Sequence, residues 1–175
     1  MTAPSCPARP RDDLCAKVYD AEQRLRRLID NANRAGIASL DVFGSRIAVP
    51  AERHFSDIAA VEAYLTQVTR LTWVRARFPR AYIPVRVRRR KGAKYAHYDP
   101  APPTIAIPAD HTGWALRELV VLHELAHHLD DDRRRHASHG PEFCSRYLEL
   151  VESLIGIEAG FLLRATLLDC DVPLH

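Results

Sequence analysis

The chain has 175 residues, 47% of them apolar and 27% charged, with a formal net charge of +3. This balance fits one folded domain and argues against a largely disordered chain. No apolar run is long enough to cross a bilayer, which sets membrane spanning aside, and the net charge is too small to imply nucleic acid by itself.

Residues 1–11 carry Pro4, Pro7 and Pro10 without an apolar period. They are expected to form a flexible arm rather than a secretory signal, leaving residues 12–175 as one globular domain. The four cysteines, Cys6, Cys15, Cys144 and Cys170, lack C-x-x-C spacing, so neither a zinc ribbon nor a recognisable disulfide framework is expected; reduced thiols in a cytoplasm fit better. Over residues 12–35, Leu14, Val18, Leu25, Leu28, Ile29 and Ala32 recur at helical spacing, and Gly36 stands where a C-terminal cap belongs. Leu40 and Val42 alternate before Gly44-Ser45, and Ile47 and Val49 after it. A two-residue turn there pairs Val42 with Ile47 and Leu40 with Val49, all on one face. Ser56 is the expected N-cap of a second helix bearing Ile58, Val61, Leu65 and Val68 and ending before Pro79.

Val85 and Val87, residues 95–98 and residues 104–107 give short β-prone runs, from which a small, largely antiparallel sheet is expected. A strong helix follows over residues 114–129. Gly140-Pro141 starts another, with Glu142 in the first turn and Phe143, Tyr147, Val151, Leu154 and Ile155 on its buried face. A last helix is expected over residues 157–168. The fold class is therefore α+β, a small sheet packed on a central helix with further helices at both ends.

The chemistry concentrates in the stretch Leu122-His123-Glu124-Leu125-Ala126-His127-His128. Its apolar neighbours point in nearly every direction around the helix, so the segment is buried. At about 100° per residue His123 and His127 fall on one face, roughly 40° apart. Buried imidazoles and a carboxylate must find partners, and the pattern H-E-x-x-H satisfies them with one cation: two imidazoles as ligands, and the glutamate beside the water that the metal activates. Zinc is the natural occupant, and Glu124 the expected general base. A catalytic zinc needs a third protein ligand. The candidates are Asp130, His136, Glu142 and His139; His139 is preferred, because Gly140-Pro141 fixes the chain just after it. His128 points elsewhere and reads as a surface or supporting group. Tyr95, Tyr98, His111, Tyr147 and Arg146 are all candidates for stabilising an oxyanion.

The run from His123 to His127, followed by His139-Gly140-Pro141-Glu142-Phe143 at the head of a helix, resembles the SprT-like zincin metallopeptidases. The stretch containing Lys91-Gly92, Ala96-His97-Tyr98 and Ile105-Ala106-Ile107-Pro108, running into the H-E-x-x-H segment, is similar to a family of uncharacterised bacterial and phage metallohydrolases. The similarity spans roughly residues 40 to 170, with its specific motifs in the later half. It implies a zincin-like fold, zinc on His123, His127 and His139, Glu124 as catalytic base, and an edge strand beside the active-site helix, for which residues 104–107 are the candidate. The expected function is a cytoplasmic zinc-dependent hydrolase that cleaves a peptide or protein substrate. Two rivals stand beside it. The basic stretch Arg86, Arg88, Arg89, Arg90, Lys91 and Lys94 belongs to a nucleic-acid-associated factor in one; in the other the zinc is purely structural, closed by Asp130 or Glu142.

Overall fold

In the computed structural model, residues 10–91, 95–108 and 113–174 are described. The expected N-terminal arm therefore lies almost wholly outside the described residues, as do Lys94, His111 and His175.

Helix α1 (Cys15–Arg34) buries Val18, Ala21, Glu22, Leu25, Ile29 and Ala32, a three-and-four spacing that makes one stripe. It ends as expected. Gly36 takes a φ of 66°, its N–H donates to Asn33 O at 3.2 Å and that of Ile37 to Ala32 O at 2.9 Å, a Schellman closure. The helix starts at Cys15 rather than near residue 12, so Asp12 lies outside it.

Strands β1 (Ser39–Val42) and β2 (Ser45–Ala48) form the expected hairpin in a shifted register, Leu40 opposite Ile47 and Val42 opposite Ser45. The turn residues are Phe43 and Gly44, with φ of 50° and 77°, and two such positive angles match the twist of the flanking strands. A shift of two keeps every side chain on its expected face, and Leu40, Val42, Ile47 and Val49 still pack against the core.

Helix α2 (Ile58–Val68) is capped by Asp57, whose Oδ1 accepts from Ala60 N at 2.8 Å. Asp57 displaces the expected Ser56, because a carboxylate answers both the free N–H groups and the helix dipole. After a break come α3 (Thr72–Arg77) and a 3₁₀ turn (Pro79–Tyr82).

Strands β3 (Arg86–Arg90), β4 (His97–Pro100) and β5 (Pro103–Pro108) form a sheet of order β3-β5-β4, with β3 parallel and β4 antiparallel to β5. The sheet is thus mixed. Residues 104–107, the expected edge, lie in its middle: Thr104, Ile105, Ala106 and Ile107 are all buried, as a strand with partners on both sides must be. Among the described residues the edge next to the central helix is β4, which packs on α4.

Helix α4 (Glu118–His128) is buried nearly all round. It begins four residues later than expected because residues 52–55 clamp its start. Phe55 N donates to Leu116 O and Glu118 N to Arg53 O; Glu52 accepts from Leu119 N and pairs with Arg117, which also holds Asp30. Helices α5 (Pro141–Leu154) and α6 (Ile157–Asp169) follow as expected and pack on each other, α5 also against α4 and α6 against α1. Gly160 permits that approach: a Cβ there would meet Glu152 Cβ at 2.8 Å. The architecture is α+β, and among the described residues no helix is long and apolar enough to cross a membrane.

Candidate metal centre

Helix α4 carries His123 and His127 one turn apart, and Gly140, extended at φ −71° and ψ −179°, sets His139 against them from the head of α5. The Nε2 atoms converge: 3.2 Å from His123 to His127 and 3.3 Å from His123 to His139. Phe143, one turn into α5, touches all three rings, with centroids at 4.8, 4.4 and 5.0 Å. The trio is therefore held from below by an aromatic plate, which gives Phe143 of the H-G-P-E-F run a physical role.

Two carboxylates fix the rings from behind. Glu22, buried in the stripe of α1, accepts from Nδ1 of His123. Asp12 Oδ2 accepts from Nδ1 of His139 at 2.8 Å, and its Oδ1 from the His139 N–H at 3.1 Å. With both Nδ1 atoms donating, His123 and His139 aim lone pairs at each other across 3.3 Å, which demands a positive charge between them. Burial pushes His127 far below the ordinary histidine value, with His123 and His139 adding to it, and it lowers His139 as well. On His123 burial acts the same way, but Glu22 outweighs it and holds the ring up. A lone proton on His123 or a metal ion meets that demand. The spacing fits the metal: a tetrahedral ion with nitrogens at about 2.0–2.1 Å needs them roughly 3.3 Å apart. Asp12, Cys15 and His139 also converge; the Nδ1 of His139 is already committed to Asp12, so this group supports the trio rather than competing with it.

Glu124 sits beside the trio, 2% exposed. Burial raises its carboxyl to about 7; Glu22 adds to the rise, while His123 and Arg90 oppose it. It lines a cleft with Tyr19, Arg26, Tyr95, Trp114 and His123. Tyr19 stacks on His123 at 5.2 Å and tilts against His139 at 5.3 Å. Burial, then Glu124 and Glu22, push the Tyr19 phenol far up, so its hydroxyl keeps its proton.

The other candidates are placed elsewhere. Asp130 accepts from His136 Nδ1 at 2.9 Å and from Asp132 N at 3.1 Å, and pairs with Arg146 at 3.2 Å. His136 is thereby tied to Asp130 and stands apart from the trio. Glu142 lines a separate cleft with Arg77, His136 and Arg146. His128, expected at the surface or in a supporting role, is fully buried: its Nε2 donates to Ile83 O and its Nδ1 accepts from Tyr98, both at 3.0 Å. Among the oxyanion candidates, Tyr147 donates to Leu119 O at 3.0 Å, Tyr98 serves His128, and Arg146 donates to Ala126 O. Those three are engaged away from the cleft, whereas Tyr95 lines it. In the basic stretch Arg88 pairs with Asp99 at 3.2 Å, and Arg90 donates to Tyr95 O and His97.

Sequence reasoning missed Glu22, Asp12, Tyr19 and Arg26. Glu22 had a signal, being an acid inside the apolar stripe Val18, Ala21, Leu25. Asp12 had none, since its partner is 127 residues away. Comparison of the chain with family models, curated proteins and solved structures finds no match.

Proposed function

We propose that the chain is a zinc-dependent hydrolase with a zincin-like site, acting on peptide bonds. The observation that carries the reading is the convergence of three Nε2 atoms, two of them backed by carboxylates, beside a buried glutamate that takes no part in holding them. Three imidazoles without a fourth protein ligand are the donor set of a catalytic rather than a closed zinc site, and a small cleft lined by His123 and Glu124 adjoins them. Bound there by His123, His127 and His139, zinc supplies Lewis acidity toward a carbonyl and lowers the pKa of water to about 7.

The protein groups do the rest. With its carboxyl near 7, Glu124 is substantially ionised at neutral pH, and an adjacent dication favours the carboxylate further. It accepts a proton from the attacking water and delivers it to the leaving amine. Tyr19, protonated and leaning on two of the rings, donates to the oxygen on which charge develops. The outer edge of β4 takes an extended backbone by main-chain hydrogen bonds, the part first expected of residues 104–107.

The test is Glu124→Gln, which keeps size and removes the base. The variant is expected to retain zinc and fold while turnover of a broad set of unfolded proteins and peptides falls about 10²- to 10⁴-fold. The same products at the same rate from both proteins, with zinc confirmed in each, would mean that Glu124 is not the base.

A further inference from the structure

The cleft contains a cation that the mechanism above does not use. Arg26 stands one turn along α1 from Glu22, with 16% of its side chain exposed. Among the described residues its one hydrogen bond runs from Nη1 to Glu22 Oε2 at 3.5 Å, the outer limit of such a bond, because Glu22 turns its other oxygen to His123. Two positions away on the same helix, the more exposed Arg24 makes ion pairs at 2.9 Å with Asp20 and 2.6 Å with Asp169. The more buried of these two arginines thus has the weaker partner, shared with an imidazole. A guanidinium offers five N–H donors in a planar fork that matches a carboxylate, and this fork keeps most of them for another partner.

Its surroundings suit an anionic ligand. Arg26 lines the cleft with Tyr19, Tyr95 and Trp114 beside His123 and Glu124, and the rings of Tyr19 and Tyr95 are 5.2 Å apart. Tyr19 and Trp114 are half-buried and Tyr95 is exposed at the rim, so a charge-assisted bond formed beside them is less screened than one in open solvent. Contacts lead from His123 to Glu22 to Arg26, which puts the guanidinium within a few residues of extended chain, at about 3.3 Å each, of the metal ligands.

We propose that Arg26 is the specificity-determining residue of this site, binding a substrate carboxylate so that peptides with a free C-terminus or an acidic side chain near the scissile amide are preferred. The proposal rests on the hydrolase reading for its meaning, and its test does not require turnover. Zinc-loaded Glu124→Gln protein is titrated calorimetrically with acetyl-Gly-Phe as free acid and as amide, and with acetyl-Ala-Glu-Ala-amide against acetyl-Ala-Gln-Ala-amide. One acid is expected to bind about 10- to 100-fold tighter than its amide, and which pair shows the gap identifies the carboxylate's source. Adding Arg26→Gln should close the gap at full zinc occupancy, and Arg26→Lys should restore part of it. Two results overturn the proposal: no acid preference up to millimolar peptide, or a preference that survives Arg26→Gln, which would put the carboxylate on zinc. If Arg26→Gln lowers zinc affinity and leaves the acid-to-amide ratio unchanged, Arg26 only holds Glu22. An acid preference that depends on Arg26 in a protein that cleaves no amide would leave this site standing and remove the hydrolase reading.

Discussion

Helix α4 buries histidines on two sides, and the two sides are completed in opposite ways. His128 donates to a carbonyl and accepts from Tyr98, whose hydroxyl lies 3.3 Å from Arg80, so both nitrogens of this ring are answered by the protein. His123 and His139 use one nitrogen each on Glu22 and Asp12 and leave the other pointing into a shared space. A closed network gives stability; an open one, held rigid from behind, gives a place for a cation. His123 and His128 are both buried, so it is the direction of the unused lone pairs that distinguishes the two sides.

The largest effect that divides the two sides is loss of a ring. His139→Ala should cut zinc affinity by orders of magnitude and make the melting temperature insensitive to chelator. His128→Ala should keep zinc while losing about 2–4 kcal/mol of stability, through a cavity and orphaned partners at Ile83 O and Tyr98. Competition titration with a chromophoric chelator, together with melts of both variants, checks this. Equal zinc loss in the two would erase the distinction.

Next in size are the carboxylates behind the rings. Glu22→Gln and Asp12→Asn should each weaken zinc binding about 10- to 100-fold, while Asp130→Asn, in the neighbouring closed cluster, should change it less than about twofold. The same titration ranks all three, and an Asp130 effect above that of Glu22 would contradict the placement of the second carboxylate.

The smallest effect is a pH dependence on the closed side. Burial, aided by Arg80 and Arg133, lowers His128 to about 4, against about 6.5 in an unfolded chain. Between those values the unfolded chain binds the extra proton, so stability rises with pH there and is lost as pH falls from 6.5 toward 4. In metal-free protein the slope of unfolding free energy against pH over that window should be shallower in His128→Asn, by up to about one proton. An unchanged slope would mean that His128 is not held neutral.

The part of the site carried by local pattern was legible in the sequence. His123, Glu124 and His127 follow from helical spacing inside an apolar segment, and His139 from the Gly140-Pro141 helix start, because both are short-range signals. Long-range partners were not legible. Asp12 and Glu22 come from the other end of the chain, and the pairing of β5 between β3 and β4 depends on a parallel crossover that no local run encodes. Direction, read alone, left His128 open: it was expected at the surface or in a supporting role because it points away from His123 and His127, and it is the buried anchor of the opposite face. Local chemistry decided the hairpin turn as well, where Phe43 and Gly44 took the place expected of Gly44 and Ser45 without changing which side chains face the core.

The open side is the central claim, and zinc X-ray absorption on the loaded full-length protein tests it most directly. One zinc per chain is expected, with three imidazole nitrogens and one further light oxygen donor at about 2.0–2.1 Å. A sulfur ligand, which would bring in Cys15, a fourth protein ligand that closes the shell, or a chain that stays metal-free in zinc-containing buffer would contradict it.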